Sequence, residues 1–436
     1  MRPRIFGWAK ESPYTMSERF MIRAVLATAI LFSLVIDFSL TRKYGGVDLR
    51  DKVVGARSLM AGRSMYFNPW SPGEPERFAD PMVPPGATMT RYTGTPFQAL
   101  VMSPMGMLSF GTLRVPWLLA QYALLLLAIA LAHRAFSEDG WRMELITGLV
   151  LVAVLTSTSW RLHVERGQVY IGFAALIAAL FWSLAKERHL LAGVLAAALV
   201  LFKPTYAFLL LPLVMRVNVR LVAGAAILVV TCVGVFAIIP NGLASWGEYL
   251  EAMRVWSTMP GVGAPPSANP DAFTYPATIE GLSNLRDHHA MEFENGSVAA
   301  VLIAVVGIEL PGLLPWAVYA MVLLGSAIAL RGRIMSMPRV HLLLLGFAAW
   351  TALMMLLPTP RFDYQLVHWI APALLLLHAW RERPMASAAL LAIAGVLVVG
   401  GWSVLPVNIL LAEALLLVAC GWMLMGKQRA MLRETE

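Results

Sequence analysis

Five charged side chains, widely separated in the sequence, have the chemistry needed to displace a phosphate leaving group. Asp48 and Glu165 are carboxylates, and Lys203, Arg166 and Arg361 are cations. A carboxylate can take the proton from an acceptor hydroxyl as that hydroxyl attacks carbon. Lys and Arg can hold a phosphate, and Arg does so through paired hydrogen bonds. If the fold brings these side chains together, they suit a donor whose sugar is joined to a lipid phosphate.

Two polar stretches supply the remaining candidate side chains. The stretch TSTSWRLHVERGQVYIGF adds His163 and Gln168, which could orient a sugar by hydrogen bonding. The stretch LLPTPRFDYQLVHW adds Asp363, Tyr364 and His368. Charged side chains at a helix end often simply reach toward water. For the aspartate, a structural ion pair with the preceding arginine is an equally good interpretation.

The composition is typical of a protein that crosses a membrane several times. Of its 436 residues, 58% are hydrophobic and only 14% are charged, whereas soluble domains are about 25% charged. Apolar runs of about 18 residues or more recur along the chain, and each such run predicts a transmembrane helix. We therefore expect an all-α polytopic membrane protein.

Twelve spans with both chain ends in the cytoplasm account for the positions of the basic residues. The expected spans are 20–41, 114–133, 143–160, 168–185, 190–202, 204–216, 220–239, 312–330, 340–357, 364–380, 385–402 and 407–425. Lys and Arg then lie mostly in short loops on one side, which the positive-inside rule makes cytoplasmic. Topology explains the net charge of +8, so we expect no nucleic-acid partner. At Lys203-Pro204, one broken helix is the alternative to two short spans.

We expect two long outer segments: 42–113 lies within a membrane module over 1–239, and 240–311 separates that module from C-terminal helices over 312–436. Residues 93–112 must then belong to the first outer segment or form a re-entrant segment. Each outer segment begins with an amphipathic pattern that predicts a helix lying in the membrane interface. The two apolar stripes are Leu49, Val53, Ala56 and Met60, and Leu243, Trp246, Leu250 and Met253.

Asp48 opens the first of these helices, and two interpretations of it stay open. With Asp51 three residues later, it resembles a helix-capping pair. The topology also places it on the same face as Glu165, Lys203 and Arg361, where a carboxylate could do chemistry. A cap and a catalytic base are compatible, because a helix start fixes the position of a carboxylate.

The order of these features resembles the GT-C superfamily of integral membrane glycosyltransferases. Four segments are similar to motifs of glycosyltransferase family 87, which includes the mycobacterial phosphatidylinositol-mannoside mannosyltransferases. They are GVDLRDKVVGARSLMAGRSMY, ERGQVYIGF, AGVLAAALVLFKPTYAFLLLPLV and PTPRFDYQLVHWIAP. The resemblance covers 45–215 well and 355–372 loosely. It implies a GT-C fold and transfer of mannose, or another hexose or pentose, from a polyprenyl-phosphate carrier to a lipid or glycan acceptor.

The same resemblance implies roles for individual residues. Asp48 would be the base that activates the acceptor, Glu165 a second acid of the outer segments, and Lys203 a residue near the donor phosphate. The reaction would be an inverting single displacement on the outer face of a bacterial cytoplasmic membrane. Because a lipid phosphate leaves without an acid, no metal cofactor is required, although two carboxylates could hold a divalent ion.

The sequence departs from the family pattern at two places. Tyr170 stands where the family often has Asn, and Tyr364-Gln365 stand where it often has paired histidines. If one of those histidines contributes to catalysis in relatives, its role here is either unfilled or taken by Tyr364 or His368.

Two other functions remain open at this point. The first is a transferase like an O-antigen ligase or polymerase, which would favour an arginine-rich outer loop, whereas 240–311 is acidic. The second is a flippase or transporter of lipid-linked sugars, which would place charged residues within its spans. Asp37, near the end of the first span, is the residue that a transporter would use.

Overall fold

The computed structural model describes residues 16–43, 46–80, 88–136, 141–216, 218–258, 314–356, 363–379 and 410–421, with residues 298, 302 and 424. Every regular element among these residues is helical, in agreement with the expected all-α class.

Seven helices build the N-terminal half. They are α1 (Met16–Lys43), α2 (Val47–Met60), α3 (Pro96–Gly106), α4 (Phe110–Phe136), α5 (Trp141–Thr156), α6 (Thr158–Arg166) and α7 (Tyr170–Ala185). The following helices are α8 (His189–Phe202), α9 (Ala207–Val214), α10 (Val219–Ile238), α11 (Ala244–Thr258), α12 (Leu314–Ser336), α13 (Arg339–Leu356) and α14 (Ile370–Ala379). Short 3₁₀ turns cover Glu76–Phe78, Pro204–Tyr206 and Asp363–Trp369.

The main core lies where α7 packs between α4 and α8. On one side α14 adds to α4, and on the other α10 packs on α8 and α13 on α9. The helices in this core are apolar nearly all round, as expected for helices surrounded by protein and lipid.

Four segments among the described residues are long and apolar enough to cross a bilayer: Arg23–Thr41, Phe110–Phe136, Val219–Ile238 and Arg339–Leu356. The pair α6 and α7 qualifies jointly but is bent by 117°, and further apolar helices of 10–17 residues accompany them. These segments agree with a membrane protein. The number of twelve spans stays a prediction.

The chain between the third and fourth expected spans is helical, and the expected span 143–160 is divided, because α5 ends at Thr156 and α6 covers Thr158–Arg166. The Ser157 side chain accepts a hydrogen bond from the backbone N–H of Trp160 and caps α6 directly after α5 ends. A serine cap satisfies a helix N–H that would otherwise lack a partner, so the helix restarts at once. The charged residues of this stretch therefore project from a helix.

The helix α2 packs on α3, and protein covers most of its apolar stripe. Leu49, Val53 and Ala56 are buried, and Met60 is exposed. The prediction that this stripe rests on the membrane interface is therefore wrong for the three buried residues. α3 has 11 residues, or about 16 Å at about 1.5 Å per residue, too short for a bilayer core of about 30 Å. This length fits the expectation that 93–112 contains no full crossing.

The stripe of α11 is divided between protein and surroundings. Trp246 and Met253 pack against a second core cluster that contains Tyr66, whereas Leu243 and Leu250 are exposed. The two outer segments are thus joined by an apolar contact.

The chain breaks at Lys203, which has extended backbone angles (φ −151°, ψ 104°) between α8 and the turn Pro204–Tyr206. α8 packs mainly on α10 and α7, whereas α9 packs on α13. The two helices therefore do not form an antiparallel hairpin, which favours the broken-helix alternative. Thr95 Oγ1 donates to the carbonyl of Leu201 at 2.6 Å and ties the end of α8 to the first outer segment.

Candidate active site

The turn between α6 and α7 lies directly against the start of α2. Gly167 ends α6 in the left-handed conformation (φ 69°, ψ 37°), which glycine adopts without steric cost. A Cβ atom at Gly167 would lie 2.6 Å from Leu49 Cβ, so glycine is required for this close approach. Trp117 on α4 donates its indole N–H to the Gly167 carbonyl at 3.1 Å. These contacts fix the residues on both sides of the turn next to α2.

Asp48 accepts two hydrogen bonds from this turn on the same oxygen. Arg166 Nε donates to Asp48 Oδ2 at 2.8 Å, and Gln168 Nε2 donates to it at 2.8 Å. The side chain of Asp48 is 25% exposed and that of Arg166 is 14% exposed. The two bonds orient the carboxylate through Oδ2, and Oδ1 takes part in neither.

Asp48 does not cap its helix, so the predicted capping pair with Asp51 is wrong. The N-cap position is Gly46 (φ 59°, ψ 54°), and no side chain makes a capping hydrogen bond there. Since α2 begins at Val47, Asp48 lies within the first turn, where a carboxylate is still favoured by the helix dipole. Its Oδ2 instead accepts the hydrogen bonds from Arg166 and Gln168.

His163 and Gln168 belong to a buried network that shapes the turn. The Gln168 backbone N–H donates to the His163 carbonyl at 2.9 Å, and the Ile171 backbone N–H donates to His163 Nε2 at 3.0 Å. Gln121 on α4 donates its side-chain amide to the Gln168 carbonyl at 3.0 Å. Both His163 and Gln121 are fully buried. His163 thus lies in the protein interior, and the Gln168 amide is directed at Asp48, so neither has the position expected of a residue that orients a sugar.

An aromatic bridge joins Arg166 to Lys203. The guanidinium carbon of Arg166 lies 5.7 Å from the ring centroid of Tyr364, whose ring lies 5.5 Å from that of Tyr170. Lys203 Nζ lies 5.2 Å from the Tyr170 centroid. A cation within about 6 Å of an aromatic ring is attracted to its π electrons. Two cations that are far apart in the sequence are therefore held at one set of rings.

His368 belongs to the same set of rings. Its Nε2 lies 2.8 Å from the Tyr206 hydroxyl, and its ring centroid lies 5.3 Å from Tyr170 and 5.4 Å from Trp350. We call this group, with Tyr364, the aromatic cluster: Tyr170, Tyr206, Trp350, Tyr364 and His368. Tyr364 and His368 are both buried. Whether either takes the role of a family histidine stays a prediction.

Glu165 lies on α6, one residue before Arg166. Its charge acts on Arg114, which packs so closely on Gly46 that a Cβ there would lie 3.1 Å from Arg114 Nε. Arg361 lies outside the described residues. Asp363 begins the turn Asp363–Trp369, and only its backbone is described.

A buried ion pair on α2 was not predicted from the sequence, in which Asp51 stood out only as a capping partner of Asp48. Lys52 Nζ lies 2.8 Å from Asp51 Oδ2 and 5.3 Å from the ring centroid of Tyr92. Burial raises the pKa of Asp51 to about 7, a rise that the charge of Lys52 opposes and those of Asp80 and Asp48 increase. Spacing gave no signal for this pair, because Asp51 and Lys52 are adjacent and neighbours do not share a helix face; it relates Lys52 to Asp48, four residues away.

Asp37 makes a structural contact within the bundle. It is fully buried, accepts hydrogen bonds from the Tyr122 hydroxyl at 2.6 Å and the Trp160 indole at 2.8 Å, and pairs with Arg161. A buried carboxylate is stable when it is paired and hydrogen-bonded in this way. Its contacts link α1 with α4 and α6, so this residue does not support the transporter alternative.

No group of three or more His, Cys, Asp or Glu side chains in the described part of the chain is arranged to hold a metal ion.

Comparison with known proteins gave one match. The model of glycosyltransferase family 87 matches residues 92–360, which is more than half of the chain. No curated protein and no solved structure gave a significant match. The matched region includes the turn between α6 and α7, the break at Lys203 and the helices that carry most of the aromatic cluster.

Proposed function

The chain belongs to glycosyltransferase family 87, and we propose that it transfers a sugar from a polyprenyl-phosphate carrier to a hydroxyl of a lipid or glycan. The sugar would be mannose or another hexose or pentose. One observation carries the proposal. Asp48 lies 2.8 Å from Arg166, and Arg166 reaches Lys203 through the aromatic cluster. A carboxylate paired with one cation, with a second cation held at the same set of rings, suits displacement of a lipid phosphate by a hydroxyl.

In the proposed mechanism, Asp48 takes the proton of the acceptor hydroxyl. The hydroxyl oxygen attacks the anomeric carbon from the face opposite the phosphate, and the bond from that carbon to the phosphate oxygen breaks. The electron pair of the broken bond stays with the polyprenyl phosphate, and the configuration at the anomeric carbon is inverted. Lys203 and Arg166 stabilise the charge on the departing phosphate, and Arg361 remains a candidate for the same role.

Arg166 has two duties in this mechanism. Its Nε bond to Asp48 orients the base, and its position at Tyr364 places its charge at the edge of the aromatic cluster. A guanidinium has five N–H groups in a fixed plane, so it can orient one anion while it attracts another.

The reaction is proposed to take place at the outer face of a bacterial cytoplasmic membrane, and it needs no metal. Lipid phosphate is a good leaving group, and the cations stabilise its charge directly. Transfer that continues in the presence of EDTA would support this view, and transfer that EDTA abolishes and magnesium or manganese restores would overturn it.

The test of the function uses the purified protein in lipid nanodiscs with a panel of polyprenyl-phosphate sugars and a membrane lipid extract as acceptor. Wild type should form a labelled glycolipid from one of the donors. General-base catalysis contributes about 10²- to 10⁴-fold, so Asp48→Asn should lower turnover by about that factor. The matched control is Glu251→Gln, a carboxylate in an exposed pair with Arg254, which should behave as wild type.

Two results would overturn the proposal. Full turnover by Asp48→Asn would show that Asp48 is not the base. An absence of transfer from every donor, together with movement of a lipid-linked sugar across vesicle membranes, would identify the protein as a transporter.

A further inference from the structure

Gln168 is held at three points, and all of them fix its side chain relative to Asp48. Its backbone N–H donates to His163 and its backbone carbonyl accepts from Gln121. Its side-chain amide then donates to Asp48 Oδ2 at 2.8 Å. The side chain is almost completely buried, with 4% of the residue exposed. A buried amide held in this way has little freedom to reach another partner.

The direction of this hydrogen bond decides what Gln168 does to the carboxylate. The amide nitrogen can only donate, and an ionised carboxylate is purely an acceptor. A hydrogen bond to the charged form of an acid favours that form. Gln168 therefore donates to Asp48 Oδ2 and fixes the plane of the carboxylate, whereas Oδ1 takes part in neither bond from the turn.

We propose that Gln168 is a positioning residue that holds Asp48 Oδ2 so that Oδ1 receives the proton of the acceptor hydroxyl. This inference rests on the proposed function of Asp48 as the base. This role replaces the expectation that Gln168 binds the sugar. Gln121 on α4 contributes to the positioning, because its side chain holds the Gln168 backbone.

Three charged side chains also act on Asp48, and their effect differs in kind from that of the neutral Gln168. Arg166 faces Asp48 from α6, and Lys52 and Asp51 act on it electrostatically from its own helix. Gln168 carries no charge, so replacing it with an apolar side chain removes one hydrogen bond from Asp48 and leaves the surrounding charges unchanged. That makes the effect of Gln168 separable from the effects of the charged groups.

The test compares Gln168→Met with wild type in steady-state transfer assays over a range of pH. Methionine keeps the length and lacks the donor. A hydrogen bond to a charged group contributes about 1.5–3 kcal/mol, so kcat should fall about 10- to 100-fold. The acid limb of the kcat/KM profile should move up by about one pH unit, and KM for the donor should not change.

Gln168→Glu is the second variant, because it preserves size and places a negative charge beside Asp48. It should move the acid limb further up than Gln168→Met does, since like charges disfavour ionisation. The matched control is Gln98→Met, which replaces another buried glutamine in the first outer segment. It should leave the acid limb in place.

The outcomes separate this inference from the proposed function. If Asp48→Asn is inactive but Gln168→Met keeps the acid limb of wild type, the positioning role is wrong and the base stands. A raised donor KM with an unmoved acid limb would instead show that Gln168 binds the sugar. If Asp48→Asn is fully active, the proposed function itself fails.

Discussion

Arg166 lies between the candidate base and the aromatic cluster. Its Nε is 2.8 Å from Asp48 Oδ2, and its guanidinium carbon is 5.7 Å from the ring centroid of Tyr364. The Arg166 side chain is only 14% exposed, and a charge with so little access to water needs a partner of opposite charge. Asp48 is one such partner, and in the proposed mechanism the donor phosphate is the second.

The first prediction concerns the shape of that guanidinium. Arg166→Lys keeps the charge but loses the flat, multidentate donor set, so Asp48 is oriented less well. A hydrogen bond to a charged group contributes about 1.5–3 kcal/mol, and we expect kcat to fall about 10- to 100-fold. Steady-state transfer assays measure this. Arg254→Lys, in an exposed pair with Glu251, is the control. A variant with wild-type kcat would exclude the orienting role.

Lys203 is predicted to act on the donor rather than on the acceptor. Lys203→Met removes the charge that lies 5.2 Å from the Tyr170 ring and keeps most of the apolar volume. Loss of one charged contact to a phosphate should raise the dissociation constant of a polyprenyl-phosphate donor about tenfold or more. Binding of a non-hydrolysable donor analogue checks this, with Lys186→Met as a control because Lys186 is exposed. Unchanged donor binding with weaker acceptor binding would contradict the assignment.

The buried Asp51 should make stability depend on pH. Because burial raises its pKa to about 7, the folded protein binds this proton more tightly than the unfolded chain, whose Asp pKa is about 4. Its contribution to stability is fully present below about pH 4 and is lost as the pH rises toward 7. Asp51→Asn cannot ionise, so its Tm should fall less than that of wild type between these values.

Thermal unfolding of both proteins in the same detergent at several pH values measures this difference. Glu251→Gln, which removes an exposed carboxylate, should follow the wild-type curve. A wild-type Tm that rises relative to Asp51→Asn over the same range would show that Lys52 keeps Asp51 ionised throughout.

The class of the fold could be predicted from the sequence because lipid imposes long uncharged helices, and that signal needs no tertiary contact. The position of α2 could not be predicted in the same way. Its stripe suggested a helix on the membrane interface, but Leu49 and Val53 are covered by protein, and periodicity does not say what covers an apolar face. The cap at Asp48 failed for a similar reason, since spacing alone could not place the helix start at Val47.

Individual residues of the candidate site could be predicted from the sequence, but the contacts between them could not. Asp48, Arg166 and Lys203 stood out because charge in an apolar chain is costly. What joins them is a chain of rings through Tyr364 and Tyr170, and contacts between residues nearly two hundred positions apart leave no local pattern. Gln168 was predicted to bind the sugar, because the sequence alone does not reveal the contact that directs its amide to Asp48.

The last prediction concerns the close crossing of α8 and α10. This crossing bears on the site because Lys203 directly follows the end of α8. A Cβ atom at Gly193 would overlap the Leu221 carbonyl oxygen, and one at Gly224 would overlap the Leu190 carbonyl oxygen. Backbone cannot move aside as a flexible side chain can, and forcing extra atoms into a packed contact costs about 1–3 kcal/mol. Gly193→Ala and Gly224→Ala should each lower Tm and, by displacing the end of α8, raise the donor KM. Gly234→Ala on α10 is the matched control, since nothing lies within 4 Å of its Cβ position and alanine favours a helix by about 1 kcal/mol. Equal Tm values for all three variants would mean that the two helices do not cross this closely.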